Sequence, residues 1–188
     1  MGEPLEFTHE EPGPRFSRKA IAAFIEATGV PATTALTRAN NFQRHGWIRA
    51  RATGVHDRYA AADVAAALAL SGLTDAGIED REIMEAASRA LYYEPKGAAA
   101  LHRFGQHPAG WALAGCARGE EWILDVHVFL LPKRRTVCAE VLPFGADPVW
   151  MATGSAAALG RFNSSQYVLL HYLFHPLTRA LNPLGGRL

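Results

Sequence analysis

"SRKAIAAFIEATGVPATTALTRANNFQRHG", residues 17–46, places two helical patterns on either side of a Gly-Val-Pro corner. In the first, Ile21, Phe24 and Ile25 fall on one face, and Ser17 supplies the hydroxyl that an N-cap uses. Gly29 suits the end of that helix, where a left-handed residue does best without a β-carbon. Pro31 suits the first turn of the next helix, its ring already fixing the backbone angle. In the second pattern Leu36, Ala39 and Phe42 recur as the apolar face. Thr33, Thr34, Thr37, Arg38, Asn41 and Arg44 gather on the other side, and Gly46 ends the helix.

The next stretch, "WIRARATGVHDRY" (residues 47–59), has Trp47, Ile48 and Tyr59 as apolar anchors and Gly54 near its tip. It reads as a two-stranded ribbon bearing Arg49, Arg51, His56 and Arg58. "YAAADVAAALALSG" then returns as an alanine-rich helix with Val64, Leu68 and Leu70 on its apolar side, stopped by Ser71-Gly72. Helix, tight corner, helix and arginine-bearing ribbon is the order of a winged helix-turn-helix. The chemistry follows from that order. A helix fits the major groove of duplex DNA, where Arg, Asn and Thr side chains read base edges. A ribbon beside it lays arginines along phosphates.

Charge is distributed to match. The net charge of +1 conceals opposed blocks: −4 over residues 1–14, +6 over 15–58, −5 over 59–128 and +4 over 129–188. The +6 block holds only Glu26 and Asp57 as acids and coincides with the proposed head. Such segregation suggests surfaces with separate tasks. Residues 1–16, rich in Pro and Glu, read as a disordered arm. With 49% hydrophobic and 20% charged residues the composition is that of a globular protein. No apolar run is long enough for a membrane helix and the start lacks a signal-peptide pattern, so a cytoplasmic location is expected, with no membrane partner.

From residue 76 the pattern changes. "EDREIMEAASRALYYE" is a helix with Ile83, Met84, Ala87 and Leu91 on one face, closed by Pro95, and a short helical piece over 97–104 follows. "WILDVHVFLLP" and "RTVCAEVLPF" flank "PKRR" as a β-hairpin. A long final helix over about 163–181, capped by Asn163 or Ser164, carries the stripe Tyr167, Leu170, Phe174, Leu177 and Leu181 and is interrupted by Pro176. The fold class expected is therefore α+β, mostly α. It comprises an arm (1–16), a winged helix-turn-helix head (17–75) and an α+β dimerisation or ligand-binding domain (76–188).

Other chemistry-bearing residues point less far. His171 and His175 share a helical face, but no Glu accompanies them as a metallohydrolase base. Asp125 and His127 share a strand face without a nucleophile elbow beside them. "GSAAALG" (154–160) has the wrong glycine order for a phosphate loop, and "PKRR" reads as a solvated hairpin tip. Cys116 and Cys138 lack the spacing of a zinc site and read as buried thiols. No catalytic residue, metal or cofactor is expected.

The segment from Ile21 to Leu68 resembles the winged-helix head of MerR-like and excisionase-like regulators, and the helix-turn-helix proteins of phages and prophages. The likeness rests on "ATGV" at the turn, "HGWI" at the helix end, an Arg-bearing wing with a glycine, and the "RYAAADV" return (Arg58, Tyr59, Asp63, Val64). It covers about residues 18–70; the span from Gly29 to Ile48 is longer than the family's, and its Gly-Tyr-Arg wing order is missing. The resemblance implies a dimer on double-stranded DNA. The expectation is a sequence-specific transcriptional regulator, of phage or mobile-element type, that binds as a homodimer and meets RNA polymerase. The competing expectation is an oligomeric adaptor or small DNA-packaging subunit that uses the same motif for assembly.

Overall fold

Ser17 caps the first helix: its hydroxyl accepts from the Ala20 amide at 3.2 Å. The structure, a computed structural model, describes residues 15–50, 58–93, 107–148 and 161–182, with backbone alone at 161 and 162. Along these run α1 (Arg18–Glu26), α2 (Ala32–Arg44), α3 (Ala61–Asp75), α4 (Arg81–Tyr92) and α5 (Pro108–Ala117). Then come β1 (Trp122–Leu131), β2 (Arg134–Pro143), β3 (Arg161–Leu169) and α6 (Leu170–Leu181). Among the described residues the architecture is α+β, six helices against one antiparallel sheet in the order β2-β1-β3. None of the helices among the described residues is long and apolar enough to cross a membrane.

The corner between α1 and α2 forms as the residues dictate. Gly29 takes φ +102°, a left-handed angle that other residues resist. Pro31 sits one position earlier than expected, as the N-cap of α2. Ile21 and Ile25 of α1 meet Ala35, Ala39 and Phe42 of α2 in the core. Leu36, expected on that buried face, is instead 44% exposed, and Ala35 takes its place. The smaller side chain lets the two short helices approach closely.

α3 is the axis of the molecule. Eleven of its 15 residues are buried, because α1, α4, α5 and α6 all pack around it. It runs through Ser71-Gly72, where the sequence predicts a stop, to Asp75. Gly72 is there for closeness: a β-carbon would lie 2.5 Å from Leu173 Cδ1 and 2.8 Å from Val168 Cγ1. The hydrophobic core runs unbroken from Ile21 to Leu177 and crosses the boundary expected near residue 75. An all-apolar helix cannot bury two faces unless something lies on each side.

The hairpin forms as predicted, with β1 and β2 paired from Trp122↔Pro143 to Leu131↔Arg134 around Pro132-Lys133. Its docking is ionic at one end. Arg135 binds Asp80 and Glu82 at 2.5 Å each, joining β2 to the start of α4. The Arg135 hydrogen bond is the main cause of the Asp80 carboxyl lying below its usual range.

Two expectations fail here. Residues 163–169 are not helical: they belong to β3, and α6 starts at Leu170 with no side-chain cap. β1 is the central strand, and β3 pairs with its second hydrogen-bonding edge through pairs such as Leu124↔Val168. Asn and Ser contribute little helix propensity to oppose this. The stripe of α6 is also consumed within the chain, for Leu170, Phe174 and Leu177 are fully buried while Tyr167, on β3, is 60% exposed. α5 was not foreseen. The predicted helix over 97–104 and Pro95 lie outside the described residues.

Candidate functional site

α2 packs mainly on α1, with a smaller contact to α3. Its outward residues Thr33, Thr34, Thr37, Asn40 and Arg44 are exposed, and Asn41 is half-buried at the edge of that face. Asn41 accepts from the Arg44 guanidinium at 3.1 Å, which orients both. Thr37 turns its hydroxyl back to the Thr33 carbonyl at 2.9 Å. Beside this face, Arg18 of α1 donates to Gln43 of α2 at 2.6 Å.

The expected arginines do not all share this surface. Arg38 turns inward to α3, bonding Ser71 Oγ at 2.8 Å and Asp75 Oδ1 at 2.7 Å, and its side chain is only 15% exposed. It is a tie between helices, not a free reading residue. Arg49 lies over the rings of Tyr92 and Tyr93, 4.8 and 4.6 Å from their centroids, and donates to the Tyr93 hydroxyl. Arg58 is exposed. Arg51 and His56, with most of the expected ribbon, lie outside the described residues. On either side of that gap, residues 47–50 form no strand, and Tyr59 bridges to Phe16 through reciprocal backbone bonds of 2.9 and 2.8 Å. Phe16, just before α1, and Tyr59, just before α3, are thereby held together.

A polar knot joins this head to α4. Asp63 is buried, its carboxylate accepting from the Ala60 amide at 2.7 Å and from the Tyr92 hydroxyl at 2.9 Å. The Tyr92 oxygen in turn accepts from the Arg49 amide at 3.2 Å, and Ser88 donates to the Trp47 carbonyl at 2.8 Å. Burial, then the Asp63 charge, push the Tyr92 phenol well above its ordinary range. The "RYAAADV" return therefore has a packing role, because Asp63 caps its own helix and anchors α4.

A second feature had no counterpart in the sequence reading. Between α4 and β2 lies a groove of about 300 Å³. Ala86, Arg89, Ala90 and Tyr93 wall it on one side and Val137, Cys138, Ala139 and Glu140 on the other. Burial, and then the Glu140 charge, raise the Cys138 thiol above its usual value, so it is neutral at pH 7. The alternation of "TVCAE" and the exposed Arg89 were the available signals. What joins them is tertiary.

On the other face of the sheet Asp125 and His127 do meet, Oδ2 to Nε2 at 2.7 Å. Cys138 and Ser165 are the cross-strand neighbours of His127, a pairing that only the register reveals. His171 lies against the ring of Tyr172 at 4.0 Å, and His175 is exposed. Lys133 and Arg134 of the hairpin tip are exposed while Arg135 is the ionic tie already described. No protein-family model, curated protein or solved structure matches this chain.

Proposed function

We propose that the chain is a DNA-binding regulator that reads duplex DNA with α2. One observation carries the reading: α2 fixes its apolar side against α1 and leaves Thr33, Thr34, Thr37, Asn40 and Arg44 exposed on its other side. Threonine methyls suit the thymine methyl, Asn suits adenine and Arg suits guanine. The corner supports the reading, as does the Phe16–Tyr59 bridge that holds the residue after Arg58 beside the start of α1. Arg38, a tie between helices, is not part of the reading set, and Arg49 contributes only if it leaves the tyrosine rings. Lys19 and Arg58, with Arg18 and Arg51, are the phosphate partners of this reading. Two copies would occupy an inverted repeat, as symmetry requires.

The test is selection of bound fragments from genomic DNA at physiological salt, followed by titration on the recovered site. An inverted repeat and a log K versus log salt slope of about −4 per head, for roughly four phosphate contacts, are expected. Thr37→Ala and Arg44→Ala should weaken the selected site by about 1–3 kcal/mol while leaving random DNA little changed. Equal binding to selected and random fragments, or a closed ring of many subunits on sizing, overturns the reading.

A further inference from the structure

The groove between α4 and β2 is bounded by one helical face and one strand edge. Ala86, Arg89, Ala90 and Tyr93 follow the helical repeat along α4. On the other wall four consecutive residues, Val137 to Glu140, line the space. Successive strand residues turn to opposite faces, and Val137 and Ala139 are the two that pack toward the core. Cys138 and Glu140 therefore bring main chain to the groove, not side chains. β2 is the last strand in the order β2-β1-β3, so this main chain is a sheet edge with no partner strand among the described residues. Such an edge holds a row of N–H and C=O groups that another extended backbone matches in full.

The two walls run the same way, for Arg135 ties the start of β2 to Asp80 and Glu82 at the start of α4. From Ala86 to Tyr93 the helix advances about 10 Å, and from Val137 to Glu140 the strand advances about 10 Å as well. We propose that the groove takes an extended peptide segment of another protein, added to the edge of β2 as a further strand. About three or four residues of such a segment fit that length. Their side chains alternate. Those turned to the helix meet the methyls of Ala86 and Ala90 at one position and the Arg89 guanidinium at the next on the same side. Arg89 is exposed, and no ion pair engages it among the described residues. It stands midway along the helical wall, so the carboxylate that answers it belongs to a side chain within the segment, not to a chain end. The partner is thus recognised by an Asp or Glu two positions from a small apolar residue. Main-chain bonds supply the affinity and these two side chains the choice.

Selection of displayed random octapeptides on the full chain tests the site. Enrichment of an acid two positions from Ala, Val or Thr is expected. A synthetic copy of the enriched peptide should bind in fluorescence polarisation and lose about tenfold or more in affinity on Arg89→Glu, with circular dichroism unchanged. Methylating the peptide's backbone nitrogens should abolish binding at alternate positions and spare it between them, because every second amide of an added strand faces β2. Amide exchange should slow at Val137 and Ala139 or at Cys138 and Glu140, one pair and not both. No enrichment, an enriched peptide indifferent to Arg89→Glu, or one that tolerates methylation at every nitrogen overturns the proposal. Binding seen only once residues 1–14 are removed gives the groove to the acidic arm of this chain and overturns the outside partner. None of these readouts involves DNA, so failure here and failure of the DNA-binding reading are told apart.

Discussion

Arg38, in the middle of α2, closes on Asp75 at the last turn of α3, with Nη1 and Oδ1 2.7 Å apart and a second bond to Ser71 Oγ at 2.8 Å. The guanidinium is mostly covered while the Asp75 carboxylate is 46% exposed, so the ion pair itself is partly screened by water. The bond to Ser71, whose residue is buried, is the more valuable half. Arg38→Ala should therefore cost about 1–2 kcal/mol of stability, and Asp75→Asn less, as read from urea midpoints. If α2 binds DNA, the loss of affinity in Arg38→Ala should be the same for all sequences. A loss confined to one base pair would return Arg38 to the reading face.

Gly72→Ala opposes two effects. In an exposed helix the change would gain about 1 kcal/mol from propensity. At this position the new methyl collides with Leu173 and Val168. Leu173 is only partly buried and can shift, but Val168 is buried on a paired strand. Overpacking of this kind costs about 1–3 kcal/mol, so a net loss is expected in thermal unfolding. A stabilised variant would show that α6 yields easily.

Tyr92 gives a pH prediction with a definite sign. Its folded phenol is held protonated well above the ordinary value near 10, which the unfolded chain retains. The unfolded state thus releases a proton that the folded state keeps as pH rises past about 10. The contribution of Tyr92 is intact below that pH and is lost above it. Alkaline titration followed at the tyrosinate absorbance should show Tyr92 ionising only with unfolding. Tyr92→Phe should remove that step and flatten the alkaline fall in stability.

Thiol chemistry offers a fourth check. Burial, with the Glu120 charge as the lesser cause, pushes the Cys116 thiol up to about 12. Cys138 is raised as well. Alkylation depends on the thiolate. Both cysteines should react with iodoacetamide at pH 8 far more slowly than in the denatured chain, and the rate at Cys116 should still be climbing at pH 10. Prompt labelling of Cys116 at pH 8 would contradict its packing against the core.

What could be read from the sequence was local. Ser17, Gly29 and Pro31 announce the first corner because caps and turns depend on near neighbours. The hairpin was legible for a similar reason: alternating β-branched residues flank a two-residue turn. β3 was not, since "NSSQYVL" becomes a strand only when β1 is present to pair with it. α5 was hidden because "PAGWALAGCA", buried on nearly every side, shows no polar face to give a period. Gly115 in that helix makes sense only once Trp122 is seen against it, where a β-carbon would stand 2.1 Å from the indole nitrogen. The candidate site divides the same way. Thr33, Thr34, Thr37 and Arg44 lie outward on α2 as the helical period predicts. The partner of Arg38 is 37 residues away, and Arg49 is claimed by tyrosines 43 and 44 residues on. Nothing in a linear reading couples positions so distant, and the groove shares that origin.

The position of α3 bears on how such a molecule can be recombined. A gene fragment ending near residue 75 would encode a helix whose outer surface had been shaped by α4, α5 and α6, now missing. Side chains such as Ala66, Leu70 and Leu73, all fully buried in the whole chain, would lose that cover, and the product would clump or be degraded. Shuffling this head onto a different body is consequently closed to it unless the new body supplies a matching hollow, so the two ends of the chain are bound to be inherited together.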